Sequence, residues 1–267
     1  MNEHLSTLNW LVEAGADEAV ADGPVNRLGS RPAARPLATP AARPAAPARA
    51  PIPVPPGDAI AGAQAAAASA TTLAELQAAL NAFDGCALKR TASNTVFADG
   101  VASGRVMLIG EAPGRDEDRV GRPFVGRAGQ LLDKMLASIG LDRRTNAYIT
   151  NVINWRPPDN RDPTPEEAGA CLPFLRRHIE LADPGVIILL GAVAARHVAG
   201  ISDGIMTLRG RWLEYRVGER MVPLMPTLHP AYLLRQPAHK KLAWRDLQTI
   251  RARMDQLGLP EPPPPAN

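Results

Sequence analysis

Four short, mostly apolar runs, each followed by a glycine, a proline or a polar residue, constrain the fold of this chain most. The runs are Arg105–Ile109, Ala147–Thr150, Gly185–Leu190 and Val222–Met225. Short apolar runs bounded by turn residues predict strands that are buried on both faces. Apolar residues at helical spacing predict helices at Gly126–Ile139, at Thr164–Leu181 and from Ala192 onward. Strands that alternate with helices predict a three-layer α/β/α fold with a central, mostly parallel sheet.

The regions that flank this alternating pattern differ from it in composition. Residues 1–22 predict one short helix, because their apolar side chains fall on one face. Residues 23–69 are rich in proline, alanine and arginine and predict a disordered linker, since proline lacks an amide donor and favours extended backbone. The folded domain is predicted over residues 70–258, followed by a disordered tail at 259–267.

Composition excludes several classes of protein. No apolar run reaches the roughly 18 residues that a membrane span requires, and the acidic first segment lacks the features of a secretory signal. We therefore expect no membrane partner and a cytoplasmic protein in which Cys86 and Cys171 stay reduced. The net charge of +3 permits binding of nucleic acid without establishing it.

Unusual residues follow the predicted strands directly. They are the loop Gly110-Glu111-Ala112-Pro113-Gly114, then Asn151, Gly191 and the segment that begins at His229. The carboxyl ends of parallel strands share one edge of the sheet, where ligands bind in such folds. The sequence therefore predicts one site built from several loops, although a glycine-rich turn of this kind also occurs as a purely structural element.

Other enzyme classes fit these residues less well. An enzyme for a phosphorylated small molecule would use the Gly110–Gly114 loop to hold phosphate, but the loop lacks the lysine of a P-loop and acidic residues surround it. No histidine and aspartate cluster has the spacing of metal ligands, so a metal-dependent hydrolase is also disfavoured.

Four longer motifs carry a resemblance to a known family. They read GEAPGRDEDRVGRPFVGRAGQLLDKML, YITNVINWRPPDNRDPTPEE, CLPFLRRHI and HPAYLLR. In order and approximate spacing they resemble family-4 uracil-DNA glycosylases over about residues 83–250. The resemblance implies a uracil-DNA glycosylase-like fold and a monomeric DNA-repair enzyme that acts on uracil-containing DNA. Such an enzyme hydrolyses the N-glycosidic bond of deoxyuridine, releases uracil and leaves an abasic site.

The resemblance also assigns the residues that hold uracil. Phe124 matches the aromatic residue that stacks on the base, and Asn151 matches the asparagine that recognises its edge. Gly110 and Ala112 belong to the same uracil-binding loop. From the residues alone, Phe124 also suits a core position and Asn151 suits a turn.

Three residues match the family's catalytic groups. His229 would donate a hydrogen bond to the departing uracil, and Glu117 or Glu111 would orient the attacking water. We rank Glu117 ahead of Glu111, which also suits a role in shaping the pocket floor. In family-1 enzymes an aspartate stands two residues after the first glycine, where this chain has Ala112.

The segment after His229 is expected to contact DNA. Leu233 or Leu234 would fill the gap that the extracted base leaves, and Arg235 would bind phosphate. The same apolar residues also suit the start of an ordinary helix. Further candidates for phosphate contacts are Arg122, Arg127, Arg156, Arg161, Lys240 and Lys241.

The chain departs from the family at its metal centre. Family-4 enzymes carry a [4Fe–4S] cluster on four cysteines, and only Cys86 and Cys171 match those positions here. Phe83 and Trp155 occupy the other two positions, and neither side chain binds iron. We therefore expect no cofactor and no metal, with the two aromatic side chains filling the volume of the cluster.

The sequence is also compatible with a second function, that of a DNA-binding scaffold. The same fold and motifs suit a catalytically weak member that binds DNA as a scaffold. Release of uracil from an oligonucleotide distinguishes the two possibilities.

Overall fold

The structure, a computed structural model, describes residues 56–260. The helix predicted for residues 1–22, the first part of the predicted linker and residues 261–267 lie outside the described residues.

A six-stranded sheet forms the centre of the described part of the chain. The strands are β1 (Ala98–Gly100), β2 (Val106–Gly110), β3 (Tyr148–Asn151), β4 (Val186–Leu190), β5 (Leu213–Val217) and β6 (Arg220–Thr227). Their order is β1-β3-β2-β4-β6-β5. The four central strands are parallel, whereas β1 and β5 pair antiparallel at the two edges.

The four parallel strands confirm the prediction made from the apolar runs. The two innermost strands, β2 and β4, are buried along their whole length and carry no polar side chain, because helices cover both faces of the sheet. The two edge strands had not been predicted. β1 is only three residues long, and β5 alternates between more and less exposed residues, so neither contains a continuous apolar run.

Nine α-helices surround the sheet within residues 56–260. They are α1 (Pro56–Ser69), α2 (Leu73–Ala82), α3 (Arg115–Val120), α4 (Arg127–Ala137), α5 (Pro165–Ala182), α6 (Ala192–Ala199), α7 (Ile205–Leu208), α8 (Pro230–Arg235) and α9 (Lys240–Leu257). The predicted capping box of α5 is present: Thr164 Oγ1 accepts the amide of Glu167, and the Glu167 carboxylate accepts the amide of Thr164.

Two apolar cores lie on opposite faces of the sheet and make three layers. On one face, Met107 and Ile109 of β2 pack with α1, α2 and α5. On the other face, Val106 and Leu108 of β2 pack with α4 and α9. This alternation follows from the two-residue period of a strand, and it confirms the predicted three-layer α/β/α architecture.

Helix α1 corrects the predicted extent of the linker. The linker prediction runs to residue 69, but Pro56–Ser69 is helical and packs against α5. Alanine has the highest intrinsic helix propensity, and no proline follows Pro56 within this segment. Proline at the start of a helix is tolerated because its missing amide hydrogen has no intrahelical partner there.

The C-terminal boundary also differs by a short stretch. The tail was predicted to begin at residue 259, but Leu259 is buried in the core that contains α9. Its side chain lies against the backbone of Gly185, at the start of β4. Leu259 therefore belongs to the folded domain.

The register of the sheet aligns the ends of the central strands. Gly110 at the end of β2 pairs with Asn151 at the end of β3, and Leu190 of β4 pairs with Thr227 of β6. The loops that follow these strands therefore leave the sheet at one edge. No helix within residues 56–260 has the length and apolar character needed to cross a membrane.

Candidate active site

A cavity of about 230 Å³ lies beyond the carboxyl ends of β2 and β3. Six residues that the sequence singled out line it together: Glu111, Ala112, Glu117, Phe124, Asn151 and His229. Gly110 lies directly beneath it, next to Asn151 and Phe124. Loops that are far apart in sequence thus meet in one cavity, as the parallel topology predicts.

Asn151 carries an unpaired polar atom into this cavity. The residue is only 2% exposed, yet its side-chain oxygen Oδ1 has no hydrogen-bond partner. Among residues 56–260 it is the only buried side-chain nitrogen or oxygen in this state. Buried polar groups are nearly always hydrogen-bonded, and an orphaned acceptor costs about 1–3 kcal/mol. The atom is therefore placed to accept a hydrogen bond from a ligand.

Phe124 forms a wall of the same cavity, and its ring packs so closely on Gly110 that no larger residue would fit there. A β-carbon at Gly110 would collide with both the Phe124 ring and Asn151 Oδ1. Phe124 adopts a φ of 54°, in the left-handed region that residues other than glycine rarely occupy. Its ring centroid lies 5.5 Å from that of His229.

Arg143, which no sequence motif marks as part of the site, holds Phe124 in this conformation. Its guanidinium donates to the backbone oxygen of Phe124 at 2.9 Å and to that of Pro123 at 3.0 Å. The same guanidinium pairs with Asp99 and Asp133 and is largely buried. Because Arg143 lies just before β3, a distant part of the sequence fixes the aromatic wall.

Glu117 connects two loops of the cavity rather than presenting a free carboxylate. Its Oε1 accepts the backbone amides of Val125 and Gly126, each at 2.9 Å, and its Oε2 accepts the amide of Gly114 at 3.1 Å. Both oxygens are therefore engaged. The carboxylate joins the start of α3 to the loop that carries Phe124.

Glu111 has a different environment. It is half-buried in the cavity, and within residues 56–260 its carboxylate makes no hydrogen bond. Burial raises the pKa of the Glu111 carboxyl, the negative charge of Asp162 adds to this rise, and the positive charge of Arg196 opposes it. A carboxylate with a raised pKa is a stronger proton acceptor than an ordinary one. The sequence-based ranking places Glu117 ahead of Glu111, but of these two carboxylates only that of Glu117 is engaged by hydrogen bonds.

His229 is held in one orientation and one protonation state. Its Nδ1 accepts the backbone amide of Ala231 at 3.1 Å, at the start of α8. Burial lowers the pKa of the His229 imidazole to about 4, and the positive charge of Arg235 contributes to this decrease. At neutral pH the ring is uncharged, and since Nδ1 is an acceptor the proton lies on Nε2.

The three residues predicted to contact DNA all lie on helix α8, but they differ in how far they are buried. Leu233 is only 1% exposed and packs in the core with α4 and α9, so it is not a surface wedge. Leu234 is 37% exposed, and Arg235 is exposed at the end of the helix. Consecutive residues on a helix point in different directions, and the sequence had not fixed which leucine faces the core.

The cavity is also lined by three residues of the segment after β3, namely Pro157, Asn160 and Arg161. Arg161 had been considered only as a phosphate contact, but it pairs with Glu167 of α5 through two hydrogen bonds. Asn160 has a φ of 52° and accepts a hydrogen bond from Arg156. These residues fix the segment between β3 and α5 against the cavity.

The two cysteines lie together in the core on the α5 side of the sheet. Cys86 and Cys171 are both buried, and a hydrogen bond between their thiols lowers the pKa of Cys86. That hydrogen bond, together with burial, raises the pKa of Cys171. Trp155, which is 1% exposed, packs in the same core, and Phe83 packs against it.

These residues do not fit a cluster with four thiolate ligands. The whole chain has two cysteines, and Trp155 donates its indole N–H to Thr95 at 3.1 Å, which anchors the ring. Within residues 56–260 no group of three or more histidine, cysteine, aspartate or glutamate side chains could hold a metal ion.

Comparison with known proteins gives consistent matches. Residues 97–248 match the family model described as the uracil DNA glycosylase superfamily. A type-4 uracil-DNA glycosylase of Thermotoga maritima is 40% identical over 176 residues, which cover 65% of this chain and 90% of the relative. A type-4 uracil-DNA glycosylase of Archaeoglobus fulgidus is 45% identical over 169 residues, covering 62% of this chain and 84% of the relative.

Proposed function

Because the chain belongs to the uracil DNA glycosylase superfamily, we propose that it removes uracil from DNA in base-excision repair. The reaction is hydrolysis of the N-glycosidic bond of deoxyuridine, which releases uracil and leaves an abasic site. The observation that carries this proposal is the unpartnered Oδ1 of Asn151, buried in a cavity beside an aromatic ring.

Uracil recognition rests on Asn151 and Phe124. In our proposal Asn151 Oδ1 accepts the N3–H of uracil, while the side-chain amide donates to O4. Cytosine presents the opposite pattern at these two positions and would leave both groups unpaired. The Phe124 ring stacks on the base once it has left the helix.

His229 stabilises the leaving group. As the glycosidic bond breaks, negative charge develops on uracil O2. A neutral imidazole that lines the cavity and carries its proton on Nε2 donates a hydrogen bond to this oxygen. The hydrogen bond from Ala231 to Nδ1 supports this tautomer.

Glu111 is our candidate for the group that orients water. The sugar acquires oxocarbenium character as uracil leaves, and water then attacks C1′. A carboxylate with a raised pKa and no competing hydrogen bond within residues 56–260 is suited to accept a proton from that water. Glu117, whose oxygens hold three backbone amides, acts as a positioning residue instead.

We expect Glu111→Gln to lower kcat about 10²-fold, because glutamine cannot accept the proton. The carboxylate is the active form, so wild-type activity is present above the pKa of Glu111 and lost as the pH falls through it. Burial places this loss above the ordinary glutamate pKa of 4.5. Profiles of kcat/KM against pH check both expectations.

Glu166→Gln is the matched control, since Glu166 is an exposed carboxylate in the first turn of α5. This variant should retain the rate and the acid limb of the wild type. Equal rates and the same acid limb in Glu111→Gln would remove Glu111 from the mechanism.

The DNA interface in our proposal continues along α8. Leu234 is the exposed large apolar side chain of this helix and is our candidate for the residue that fills the vacated stack. Arg235 follows it and would bind a phosphate. We propose that the enzyme acts as a monomer, because the residues assigned to base recognition, leaving-group stabilisation and water orientation all line one cavity of a single chain. The substrate places the protein where cellular DNA lies, which in a bacterial cell is the cytoplasm.

The protein works without an iron–sulfur cluster in our proposal. Support comes from the count of two cysteines and from the buried ring of Trp155 beside them. We expect purified protein to be colourless, with no absorbance band at about 400 nm of the kind that iron–sulfur clusters give. Anaerobic incubation with iron and sulfide should leave the spectrum and the excision rate unchanged.

Cys86→Ser, treated in the same way, serves as the comparison for this measurement. Bound iron that disappears in the Cys86→Ser variant would mean that the two thiols recruit a cluster with the help of outside ligands, contrary to our proposal.

The function itself is tested with a single-stranded oligonucleotide that contains one uracil. We expect release of free uracil and an alkali-labile site at that position, with no release from matched strands that contain cytosine or thymine. Binding of the uracil strand without any release would favour the scaffolding alternative.

A further inference from the structure

A second, apolar groove of about 180 Å³ lies between α4 and α9. Leu131, Met135 and Leu247 supply apolar walls, and Leu233 of α8 also contributes to the lining. Trp244 of α9 lines the groove and is 45% exposed. A tryptophan with almost half of its surface exposed is unusual in a folded domain, since burial of an aromatic side chain is strongly favourable.

The groove adjoins the cavity along two shared helices. Ala128 of α4 and Ala231 of α8 line the cavity, whereas Leu131 and Leu233, two or three residues further along the same helices, line the groove. Three residues along an α-helix correspond to about 5 Å. A DNA strand that places one nucleotide in the cavity therefore brings a neighbouring nucleotide within reach of the groove.

The charges of the groove match a DNA strand. Lys134 and Lys240 belong to its lining, and no acidic residue does. An aromatic face flanked by cations is the combination that proteins use to bind single-stranded nucleic acid, because bases stack on the ring and phosphates pair with the cations. A groove that bound an apolar protein segment would have no need of both lysines.

We propose that this groove is a second nucleobase subsite, which holds an unpaired base of the substrate strand. That base stacks on Trp244 while Lys134 and Lys240 contact the adjoining phosphates. The inference rests on the proposed function, because it assumes that the uracil-bearing strand enters the neighbouring cavity. It adds a contact outside the cavity and favours strands whose bases near uracil are unpaired.

Abasic scanning of the substrate tests the subsite. Single-stranded oligonucleotides carry one uracil and one abasic residue, placed in turn at each of the neighbouring positions. We expect one position at which loss of the base lowers kcat/KM about tenfold for the wild type, in line with the stacking of a base on an aromatic side chain. Trp244→Leu keeps the groove apolar but removes the ring, so it should lose this dependence on position. Trp244→Phe should retain most of it.

Met221→Ala is the matched control, because Met221 is 48% exposed on β6 and does not line the groove. This variant should show the wild-type scan. A scan without any sensitive position, or one that Trp244→Leu leaves unchanged, would overturn the subsite while uracil excision stands.

The two proposals fail in distinguishable ways. If the wild type released no uracil, the proposed function would fail, and the scan would then be read from the dissociation constants of the same oligonucleotides. A position whose base contributes to binding through Trp244 would still support the subsite. If the groove instead bound a protein partner, none of these constants would depend on Trp244.

Discussion

Replacement of Asn151 by alanine should lower kcat/KM for uracil excision about 10³-fold, because the site then lacks the groups that pair with the uracil edge. The same change should leave the free energy of unfolding within about 1 kcal/mol of the wild type. The reason is that Asn151 Oδ1 has no hydrogen-bond partner in the folded protein. An unpaired buried acceptor destabilises the folded state, so its removal stabilises the protein. This gain offsets the stability lost with the volume of the side chain. Steady-state kinetics and thermal unfolding together check this prediction.

Asn154→Ala is the matched control for a buried asparagine. Asn154 donates its side-chain amide to the backbone oxygen of Val96 at 3.1 Å, so its hydrogen bond is structural. We expect this variant to lose about 1–2 kcal/mol of stability and to keep most of its activity. The two asparagines should thus give opposite patterns, and wild-type excision by Asn151→Ala would contradict the assigned role.

Replacement of His229 by alanine should lower kcat by about 10²–10³-fold with little change in KM. The predicted hydrogen bond to uracil O2 strengthens as negative charge develops, so its loss affects the transition state more than the bound substrate. His229→Gln, which retains a side-chain N–H donor, should recover part of the rate. Single-turnover kinetics separate this chemical step from binding.

The protonation state of His229 leads to a further expectation, which concerns the dependence of kcat/KM on pH. Burial lowers its pKa to about 4, so the neutral ring persists at every pH above that value. We therefore expect no change in kcat/KM at about pH 6.5, where an ordinary histidine titrates. His197→Ala, in the last turn of α6, is the control and should behave as the wild type. A step at about pH 6.5 that His229→Ala abolishes would show that the charged form takes part.

The sequence predicted the central architecture because the relevant signal is local. The strands β2 and β4 contain no polar side chain, and the capping box of Thr164 and Glu167 marks the start of α5. These signals do not depend on partners elsewhere in the chain. Helix α1 was missed because its alanine-rich sequence continues the composition of the preceding linker, and its packing against α5 is visible only in three dimensions.

The sequence predicted which residues meet at the site but not which role each of them has. The cavity unites Glu111, Asn151 and His229, as their positions after predicted strands had indicated, with Phe124, which the family resemblance had assigned to the site. The engagement of Glu117 could not be foreseen, because its partners are backbone amides of separate loops. The contribution of Arg143 is also a long-range contact, as it comes from the segment before β3.

The two leucines of α8 illustrate the same limit. Leu233 and Leu234 are adjacent and chemically identical, so only the helical phase decides which one is buried. That phase depends on the packing of α8 against α4 and α9, which places Leu233 in the core. The candidate wedge therefore became Leu234 only with the tertiary structure in hand.

The uracil-binding role of the cavity is tested most directly by a crystal structure with DNA that contains 2′-fluoro-2′-deoxyuridine, because the fluorine disfavours the oxocarbenium-like transition state and preserves the glycosidic bond. We expect an extrahelical uracil against Phe124, with its N3 about 3 Å from Asn151 Oδ1 and its O2 facing His229 Nε2. A uracil that remains stacked in the DNA, or lies outside the cavity with Asn151 Oδ1 still unpaired, would contradict that role.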